Sequence, residues 1–229
     1  PQPQQPAPAG PPSNPATSGE FKAPEMDAAH RPLIDLLQKK DGAPALLLEI
    51  NKSSDILHAQ QVLEDYKDAR YMLMLGGMPG LADYNYILEN LAKHKTMIVM
   101  APQMHRLPQS VSRYNIVGEL AFAGCDIAFV PVFDSVAQLE VYRDLAADLV
   151  RSGMERTPAV KALTLNPAKV IGLDKKIGTI EKGKDADLVF LDGDILDPGA
   201  NVTRVMILGE FVWDAKKDAK QNAMKETSR

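Results

Sequence analysis

Polar and glycine residues follow each of four short apolar runs, and reactive groups stand at such positions in α/β barrels. There an acid or amide could bind a substrate, an imidazole could move a proton, and an arginine could bind an anion. Paired glycines could let a ligand approach the backbone closely. The candidates for a substrate pocket are Glu49, Asn51, Gly76, Gly77, His105 and Arg106, and the candidate catalytic residue is Asp134.

The two acidic candidates also have plainer interpretations. Asp134 precedes Ser135, and together they could simply cap the helix that follows. Glu49 lies at the end of an apolar run, where a charge needs a partner, and a lysine or arginine of the same fold could supply it.

The other candidates are equally open to a structural interpretation. His105 and Arg106 could belong to a surface loop, and Gly76-Gly77 could form an ordinary turn. The residue types therefore indicate where chemistry could take place without identifying the reaction.

The sequence offers no set of metal ligands. The four histidines, His30, His58, His94 and His105, include no His-x-His pair. The single cysteine, Cys125, excludes an internal disulfide and a zinc site built from several cysteines. We therefore expect no metal ligand and no evident cofactor in this chain.

Composition narrows the classes of partner. The net charge is −4, without a basic stripe, which argues against nucleic acid as the main partner. A hydrophobic content of 45% is ordinary for a soluble globular protein, and no apolar run is long enough to span a bilayer. The chain begins at Pro1 without a methionine, so we expect a fragment or a processed product; export and the compartment stay open.

The first 24 residues are rich in proline, with seven in the first fifteen positions. Such a segment buries too little apolar surface to offset its chain entropy, so residues 1–24 are predicted to be a disordered linker. A ligand for a proline-recognition domain is the less favoured alternative, because no aromatic or basic residue flanks these prolines.

Four apolar runs follow, and their starts are about 26 to 30 residues apart. This spacing suits a parallel strand, a crossover helix and two loops. Amphipathic patterns lie between the runs, and Ser135 with Gln138 has the spacing of a capping box. The runs are Ala45–Ile50, Tyr71–Leu75, Met97–Met100 and Ile127–Val132.

Four βα units make half of an eight-stranded β/α barrel of the TIM type. We therefore predict an α/β fold in which residues 25–172 form this half barrel, residues 173–214 form further β-strands, and residues 215–229 form a polar tail. A half barrel leaves open strand edges, which a missing N-terminal half or a complementary chain would cover. A doubly wound α/β ligand-binding domain is the alternative that we weigh against it.

The chain's most informative stretch joins the predicted half barrel to the strands beyond it. Asn166 is predicted to cap a short helix with Pro167 at its first position, and Gly172 to end that helix. A charged turn at Gly183 then leads into the strand Leu188–Leu191.

This stretch resembles the C-terminal signature of the amidohydrolase superfamily, the metal-dependent, imidazolonepropionase-like hydrolases. The shared elements are Asn166-Pro-Ala168 and Gly183-Lys-Asp-Ala-Asp-Leu-Val189. The resemblance implies that the four strands are strands five to eight of the barrel, that residues 173–214 form strands of a small β-sandwich, and that residues 205–213 form a closing hairpin. It also implies hydrolysis of a non-peptide C–N bond, such as a cyclic amide, by metal-activated water in the complete protein.

The resemblance also shows where this chain departs from the family. Histidines on the first, fifth and sixth strands and an aspartate on the eighth hold the metals there, yet Glu49 and Gly76-Gly77 occupy the later histidine positions here. Asp134 alone matches, as the strand-eight aspartate. A zinc-type metal is therefore expected only with the N-terminal half, and we expect this chain alone to be inactive. A degenerate relative that binds a small molecule or serves as a structural subunit is the alternative.

Overall fold

A computed structural model of the chain describes residues 25, 27–38, 45–66, 69–75, 88–94, 96–106 and 111–219. The predicted linker over residues 1–24, the pocket candidates Gly76 and Gly77, and the last ten residues of the predicted tail lie outside the described residues.

The four predicted apolar runs form one parallel sheet, which confirms the α/β class. Its strands are β1 (Leu46–Ile50), β2 (Tyr71–Leu75), β3 (Met97–Met100) and β6 (Ile127–Phe129). Their order in the sheet is β1-β2-β3-β6, so each strand lies beside the one before it in this series. Strands apolar on both faces are typical of parallel sheets, because crossover connections have to run over the faces.

The fourth strand is shorter than predicted. It ends at Phe129, although the apolar run continues to Val132. The Val130 N–H, one residue beyond the strand, still donates to the Met100 carbonyl at 3.1 Å. Residues 132–135 then form bends.

Helices connect the strands. In the described part of the chain, α1 (Arg31–Leu37) precedes β1, α2 (Ser53–Leu63) follows β1, α3 (Leu88–His94) follows β2, and α4 (Ile116–Phe122) follows β3. A small antiparallel pair, β4 (His105–Arg106) and β5 (Arg113–Tyr114), is inserted between β3 and α4. Short 3₁₀ turns cover Ala28–His30 and Glu64–Tyr66.

Three helices follow β6: α5 (Val136–Arg151), α6 (Arg156–Leu163) and α7 (Leu165–Val170). The predicted capping box is confirmed, because the Ser135 side chain accepts a hydrogen bond from the Gln138 N–H. The helix α6 begins at Arg156, two residues before Pro158. It is α6 and α7 that pack against β6.

The prediction that Asn166 caps a helix is also wrong. Only Thr164 separates α6 from α7, so the new helix begins at Leu165 and Asn166 lies inside it. The predicted end is confirmed: Gly172 has a φ of 71°, the left-handed conformation that ends many helices.

The core lies between the sheet and its helices. The register aligns Leu48 with Leu73, Leu73 with Ile98, and Ile98 with Ile127 across the four strands. The helices cover this row with buried apolar side chains, among them Ile56, Leu91, Ile116, Leu120 and Leu149. The other face of the sheet is less covered, and Leu47 on it is 44% exposed.

The chain ends in a second, antiparallel sheet of three strands: β7 (Leu188–Leu191), β8 (Val202–Ile207) and β9 (Glu210–Asp214). The predicted hairpin is confirmed as β8 and β9, which Leu208 and Gly209 join with φ values of 50° and 84°. Two consecutive positive φ values are those of a type I′ turn. The Arg204 guanidinium lies 5.1 Å from the centroid of the Phe190 ring and 4.8 Å from that of Phe211.

None of the helices within the described ranges combines the length and the apolar character that crossing a bilayer requires.

Candidate functional site

Glu49 lies on the face of the parallel sheet that turns away from the helices. The register sets it beside Met74, and Met74 beside Val99. Glu49 is exposed, whereas Leu48 and Ile50 on either side of it pack into the core. It stands one residue before the end of β1, so its carboxylate lies toward the carboxyl end of the sheet. Within the described ranges no lysine or arginine pairs with it, so the salt-bridge interpretation finds no support there.

Asn51 directly follows β1 and is exposed in a bend that leads into α2. The structure therefore brings two of the predicted pocket residues, Glu49 and Asn51, to the same end of the same strand. Both are accessible to a ligand at this edge of the sheet.

His105 lies in the short strand β4, where it pairs with Tyr114 of β5. Its ring is half-buried, and burial lowers its pKa below the usual value. Its Nδ1 atom is buried, and no hydrogen-bond partner is found for it among the described residues. His105 is therefore a neutral imidazole near pH 7, whose buried Nδ1 atom has no hydrogen bond within the described part of the chain.

Arg106 follows His105 and is exposed. The register of the small sheet sets it beside Arg113, whose guanidinium donates to Asp148 at 2.7 Å. Two arginines thus face the same short antiparallel pair. Arg113 is held by an acid, and Arg106 could bind an anion.

Asp134 does not lie at the end of its strand. It lies five positions after Phe129, and its side chain is exposed in the bend before Ser135. Because Ser135 is the N-cap of α5, Asp134 stands at the start of that helix. This position agrees with the capping interpretation, and the catalytic role of Asp134 stays a prediction.

The described residues do not form a metal site by themselves. No three histidine, cysteine, aspartate or glutamate side chains in the described ranges come close enough together to hold an ion. The one cysteine, Cys125, is buried, and burial together with the charge of Asp126 raises its pKa to about 11. It is therefore a protonated thiol at neutral pH.

A groove that the sequence did not predict lies between α2 and α3. Its volume is about 530 Å³, and its lining includes Tyr66, Tyr71 and His94. Two buried amide atoms that line it, Gln60 Nε2 and Asn90 Oδ1, have no hydrogen-bond partner among the described residues. Tyr71 is the first residue of β2, so the groove reaches the amino ends of the strands, away from Glu49 and Asn51.

The contact of Asn166 with the sheet also escaped the sequence patterns. Asn166 is 3% exposed, and its Nδ2 atom donates to the Ile127 carbonyl of β6 at 2.6 Å. Only one residue separates α6 from α7, so Asn166 lies inside α7 and is not an N-cap.

Comparison with known proteins identifies one family. The model of the amidohydrolase family matches residues 72–212, which run from β2 to β9. The crystal structure of an amidohydrolase from Thermotoga maritima MSB8 superposes with a TM-score of 0.66 at 31% identity, over 85% of this chain and 49% of that chain.

Shorter matches link the chain to two curated relatives. The N-acetylglucosamine-6-phosphate deacetylase of Homo sapiens is 39% identical over 67 residues, which are 29% of this chain and 15% of that protein. The imidazolonepropionase of Thermoplasma volcanium is 40% identical over 75 residues, 30% of this chain and 19% of that protein. The chain thus matches about half the length of the Thermotoga protein and less than a fifth of either curated relative.

Proposed function

Because the chain belongs to the amidohydrolase family, we propose that it forms part of a hydrolase that cleaves a non-peptide C–N bond, with a cyclic amide as the substrate class. The family match over residues 72–212 carries this proposal, because it spans the parallel sheet from β2 onward and the small sheet beyond it. The imidazolonepropionase match supports it at the level of local sequence.

The four parallel strands would be strands five to eight of a β/α barrel, and β7 to β9 would belong to a β-sandwich. The uncovered face around Leu47 supports the first assignment, since a closed barrel would bury it. The small sheet supports the second, because Val189, on the face opposite Phe190 and Phe211, is 60% exposed and suits a second layer. The partner in both cases would be a complementary N-terminal half, with a small molecule as substrate.

Glu49, Asn51, Gly76, Gly77, His105 and Arg106 would form the wall of the substrate pocket that this chain supplies. Glu49 and Asn51 would accept or donate hydrogen bonds at the end of β1. The neutral ring of His105 would accept or hold a proton, and Arg106 would bind an anionic group of the substrate. Asp134 would be the catalytic carboxylate if the segment before α5 closes over the sheet.

A divalent metal of the zinc type would supply an acidified water in the complete enzyme. The described residues do not fit such an ion by themselves, because they bring no three suitable ligands together. The ligands would therefore come mainly from the complementary half.

One observation favours a second function. Glu49 is the one charged side chain in its row of the sheet, beside Met74 and Val99, where the family resemblance implies a histidine. This arrangement suits a degenerate relative that keeps the fold and binds a small molecule, or serves as a structural subunit, without a metal site.

Metal analysis and turnover would separate the two functions. The protein would be purified from its native source, analysed for zinc, manganese and iron, and assayed with imidazolonepropionate, dihydroorotate and N-acetylglucosamine 6-phosphate. The hydrolase predicts about one metal ion or more per chain and turnover of a C–N substrate. Metal-free protein without turnover would favour the degenerate relative.

Two variants would test the residues. Asp134→Asn is expected to lower turnover by about 100-fold or more if Asp134 is the catalytic carboxylate. The matched control is Glu181→Gln, at an exposed acid far along the chain. Turnover that survives Asp134→Asn at the control's level would leave Asp134 as a residue of the helix start.

A further inference from the structure

The groove between α2 and α3 lies apart from the candidate substrate pocket. Its volume of about 530 Å³ falls in the range of small-molecule sites, roughly 300 to 1,000 Å³. It reaches Tyr71 at the amino end of β2, whereas Glu49 and Asn51 lie at the carboxyl end of the neighbouring parallel strand β1. A ligand in the α2–α3 groove would therefore occupy a second site, and its binding does not depend on the proposed reaction.

Two tyrosine rings and two leucines give this groove an apolar wall. Tyr66, in the 3₁₀ turn after α2, is 43% exposed. Tyr71 packs against the core of the parallel sheet, which fixes its ring at the end of the groove. Leu57 and Leu63 of α2 complete the wall. Such a wall favours a flat aromatic ligand, because aromatic rings pack against each other in preferred offset or edge-to-face arrangements.

Two amide side chains of the same groove lack hydrogen-bond partners. Gln60 of α2 has a buried Nε2 atom without an acceptor, and Asn90 of α3 has a buried Oδ1 atom without a donor, as far as the described residues extend. The two atoms therefore do not bond to each other. Unpaired buried polar groups are unfavourable, and natural proteins keep few of them. A group that bridges this pair has to bring one acceptor and one donor.

Both amides can turn toward a ligand. No hydrogen bond within the described part of the chain holds Gln60 Nε2 or Asn90 Oδ1 in place. The last torsion of a glutamine or asparagine side chain also has a broad energy minimum. Because both residues are half-buried and line the groove, a rotation about this torsion presents their polar ends to a ligand there.

The remaining polar groups of the groove indicate that the ligand is neutral. Among the described residues that line the groove, no lysine or arginine occurs, and Glu64 brings a negative charge. An anion would therefore be repelled. His94 Nδ1 lies 2.8 Å from the Asn90 carbonyl, which only accepts, so Nδ1 carries the proton. In the neutral ring Nε2 is then a further acceptor for an N–H of the ligand.

We propose that the α2–α3 groove binds a neutral aromatic amide. The ring lies against Tyr66 and Tyr71. The amide oxygen accepts a hydrogen bond from Gln60 Nε2, and an amide N–H donates to Asn90 Oδ1. An amide suits this pair of residues because it carries an acceptor and a donor side by side and has no charge.

The test uses the 229-residue chain, labelled with ¹⁵N, and nicotinamide as the probe. In an NMR titration we expect shifts of the backbone amides of Tyr66, Tyr71 and Asn90 and of the side-chain amide of Gln60. The expected Kd is about 1 mM or tighter, within the range for a ligand of this size. N,N-dimethylnicotinamide keeps the ring and the carbonyl but has no amide N–H, so it should bind at least about 10-fold more weakly.

Gln60→Leu removes the amide donor and keeps a side chain of similar length. It should weaken the binding of nicotinamide about 10-fold or more. It should also leave the free energy of unfolding unchanged or higher, because an apolar group replaces an unpaired buried amide. The matched control is Gln61→Leu, at an exposed residue that lines the same groove, and it should change the binding by less than about threefold.

Three results would overturn the inference. The first is the absence of shifts with nicotinamide at concentrations of about 10 mM, which would leave the two amides to water. The second is a set of shifts centred on Glu49, Asn51 and His105, which would assign the ligand to the candidate substrate pocket. The third is equal binding of nicotinamide and its dimethylated form. Circular dichroism would check that the variants fold, and if Gln60→Leu does not, the comparison of the two amides on the unmodified chain decides the question.

Discussion

The guanidinium of Arg156 in α6 donates two hydrogen bonds to the carboxylate of Asp194, which lies in the turn after β7. Nη1 donates to Oδ1 at 2.7 Å, and Nη2 donates to Oδ2 at 2.5 Å. A guanidinium and a carboxylate in this fork arrangement hold each other in one orientation. A second arginine, Arg143 in α5, donates to the Ala200 carbonyl at 2.5 Å. Together they tie the small sheet to the helices that follow the parallel sheet.

The ion pair predicts an acid-sensitive contribution to stability. Two hydrogen bonds lower the pKa of Asp194 below its usual value. The larger effect comes from the Arg156 guanidinium and the smaller from the Leu196 N–H. A lowered pKa in the folded state adds stability above the unfolded value of about 4, and this stability is lost as the pH falls through the folded pKa. Asp194→Asn should therefore flatten the fall in unfolding free energy below about pH 4, measured by urea unfolding.

Glu140→Gln is the control for this measurement, because Glu140 is exposed on α5. This variant should show the same fall in unfolding free energy below about pH 4 as the unmodified protein. An equal flattening in both variants would show that the pair of Arg156 and Asp194 is not the source. Asp192, whose pKa is lowered mainly by the Asn201 N–H, contributes with the same sign.

Gly178 lies where the chain passes close to α7. Its φ is 93°, and a Cβ atom there would stand 2.9 Å from the Ala168 Cβ and 3.0 Å from the Leu165 Cα. Neither atom can move without shifting the helix. Gly183 has nearly the same φ, 94°, but a Cβ atom there would meet nothing within 4 Å.

The two glycines make a matched pair of alanine variants. Gly183→Ala is expected to cost about 1 kcal/mol, the strain of a left-handed backbone. Gly178→Ala adds the steric clash and should cost about 1 to 3 kcal/mol more in urea unfolding. Equal losses in the two variants would mean that the loop around Gly178 is not packed on α7 in solution.

The sequence predicted the sheet better than the helix boundaries. The strands were predictable because a parallel strand is apolar on both faces and stands out from its surroundings, as in Tyr71–Leu75. The end of β6 was not, because Val130 and Val132 are as apolar as the strand itself. Whether pairing continues there depends on how far the neighbouring strand β3 extends, and β3 stops at Met100.

The candidate site, too, could be predicted from the sequence only in part. Glu49 and Asn51 could be placed from the sequence, because the predicted strand ends at Ile50, between them. Asp134 was placed too near the sheet because the strand before it was predicted too long. Asn166 has the residue type and the proline neighbour of a cap, and only the packing of α7 on β6 shows that its side chain serves the sheet instead.

Asn115 joins the start of α4 to the end of α5. Its Oδ1 atom accepts a hydrogen bond from the Gly118 N–H at 2.8 Å, which caps α4. Its Nδ2 atom donates to the Leu149 carbonyl at 3.0 Å and to the Ser152 carbonyl at 3.2 Å. Asn115→Ala removes all three bonds and should lower the free energy of unfolding by about 2 kcal/mol.

Serine at this position separates the two roles. Asn115→Ser keeps a capping oxygen but loses the amide donor, so it should retain part of the stability that alanine loses. A loss as large as that of Asn115→Ala would assign the whole effect to the contacts with α5. Urea unfolding of the three proteins would measure it.

The Asn115 side chain explains why glycine, a poor helix former, stands at position 118 in the first turn of α4. A Cβ atom at this position would stand 2.8 Å from Asn115 Nδ2, so alanine would push the capping side chain aside. Gly118→Ala should therefore destabilise the protein by about 1 kcal/mol, although alanine favours helices in general. In the Asn115→Ala background the same change should be neutral or stabilising, and a loss there would show that the conflict lies elsewhere.

His105 should make stability rise with pH. Its half-buried ring has a pKa lowered by desolvation, so the unfolded chain binds the proton more tightly than the folded one. Unfolding free energy is therefore lost as the pH falls below the unfolded value of about 6.5, and is regained above it. His105→Gln keeps a polar side chain that does not titrate, so it should remove the pH dependence of the unfolding free energy between about pH 5 and 7, measured by urea unfolding. The control is His58→Gln on the exposed face of α2, which should preserve this dependence. A dependence that persists in His105→Gln would mean that the imidazole is as well solvated in the folded protein as in the unfolded chain.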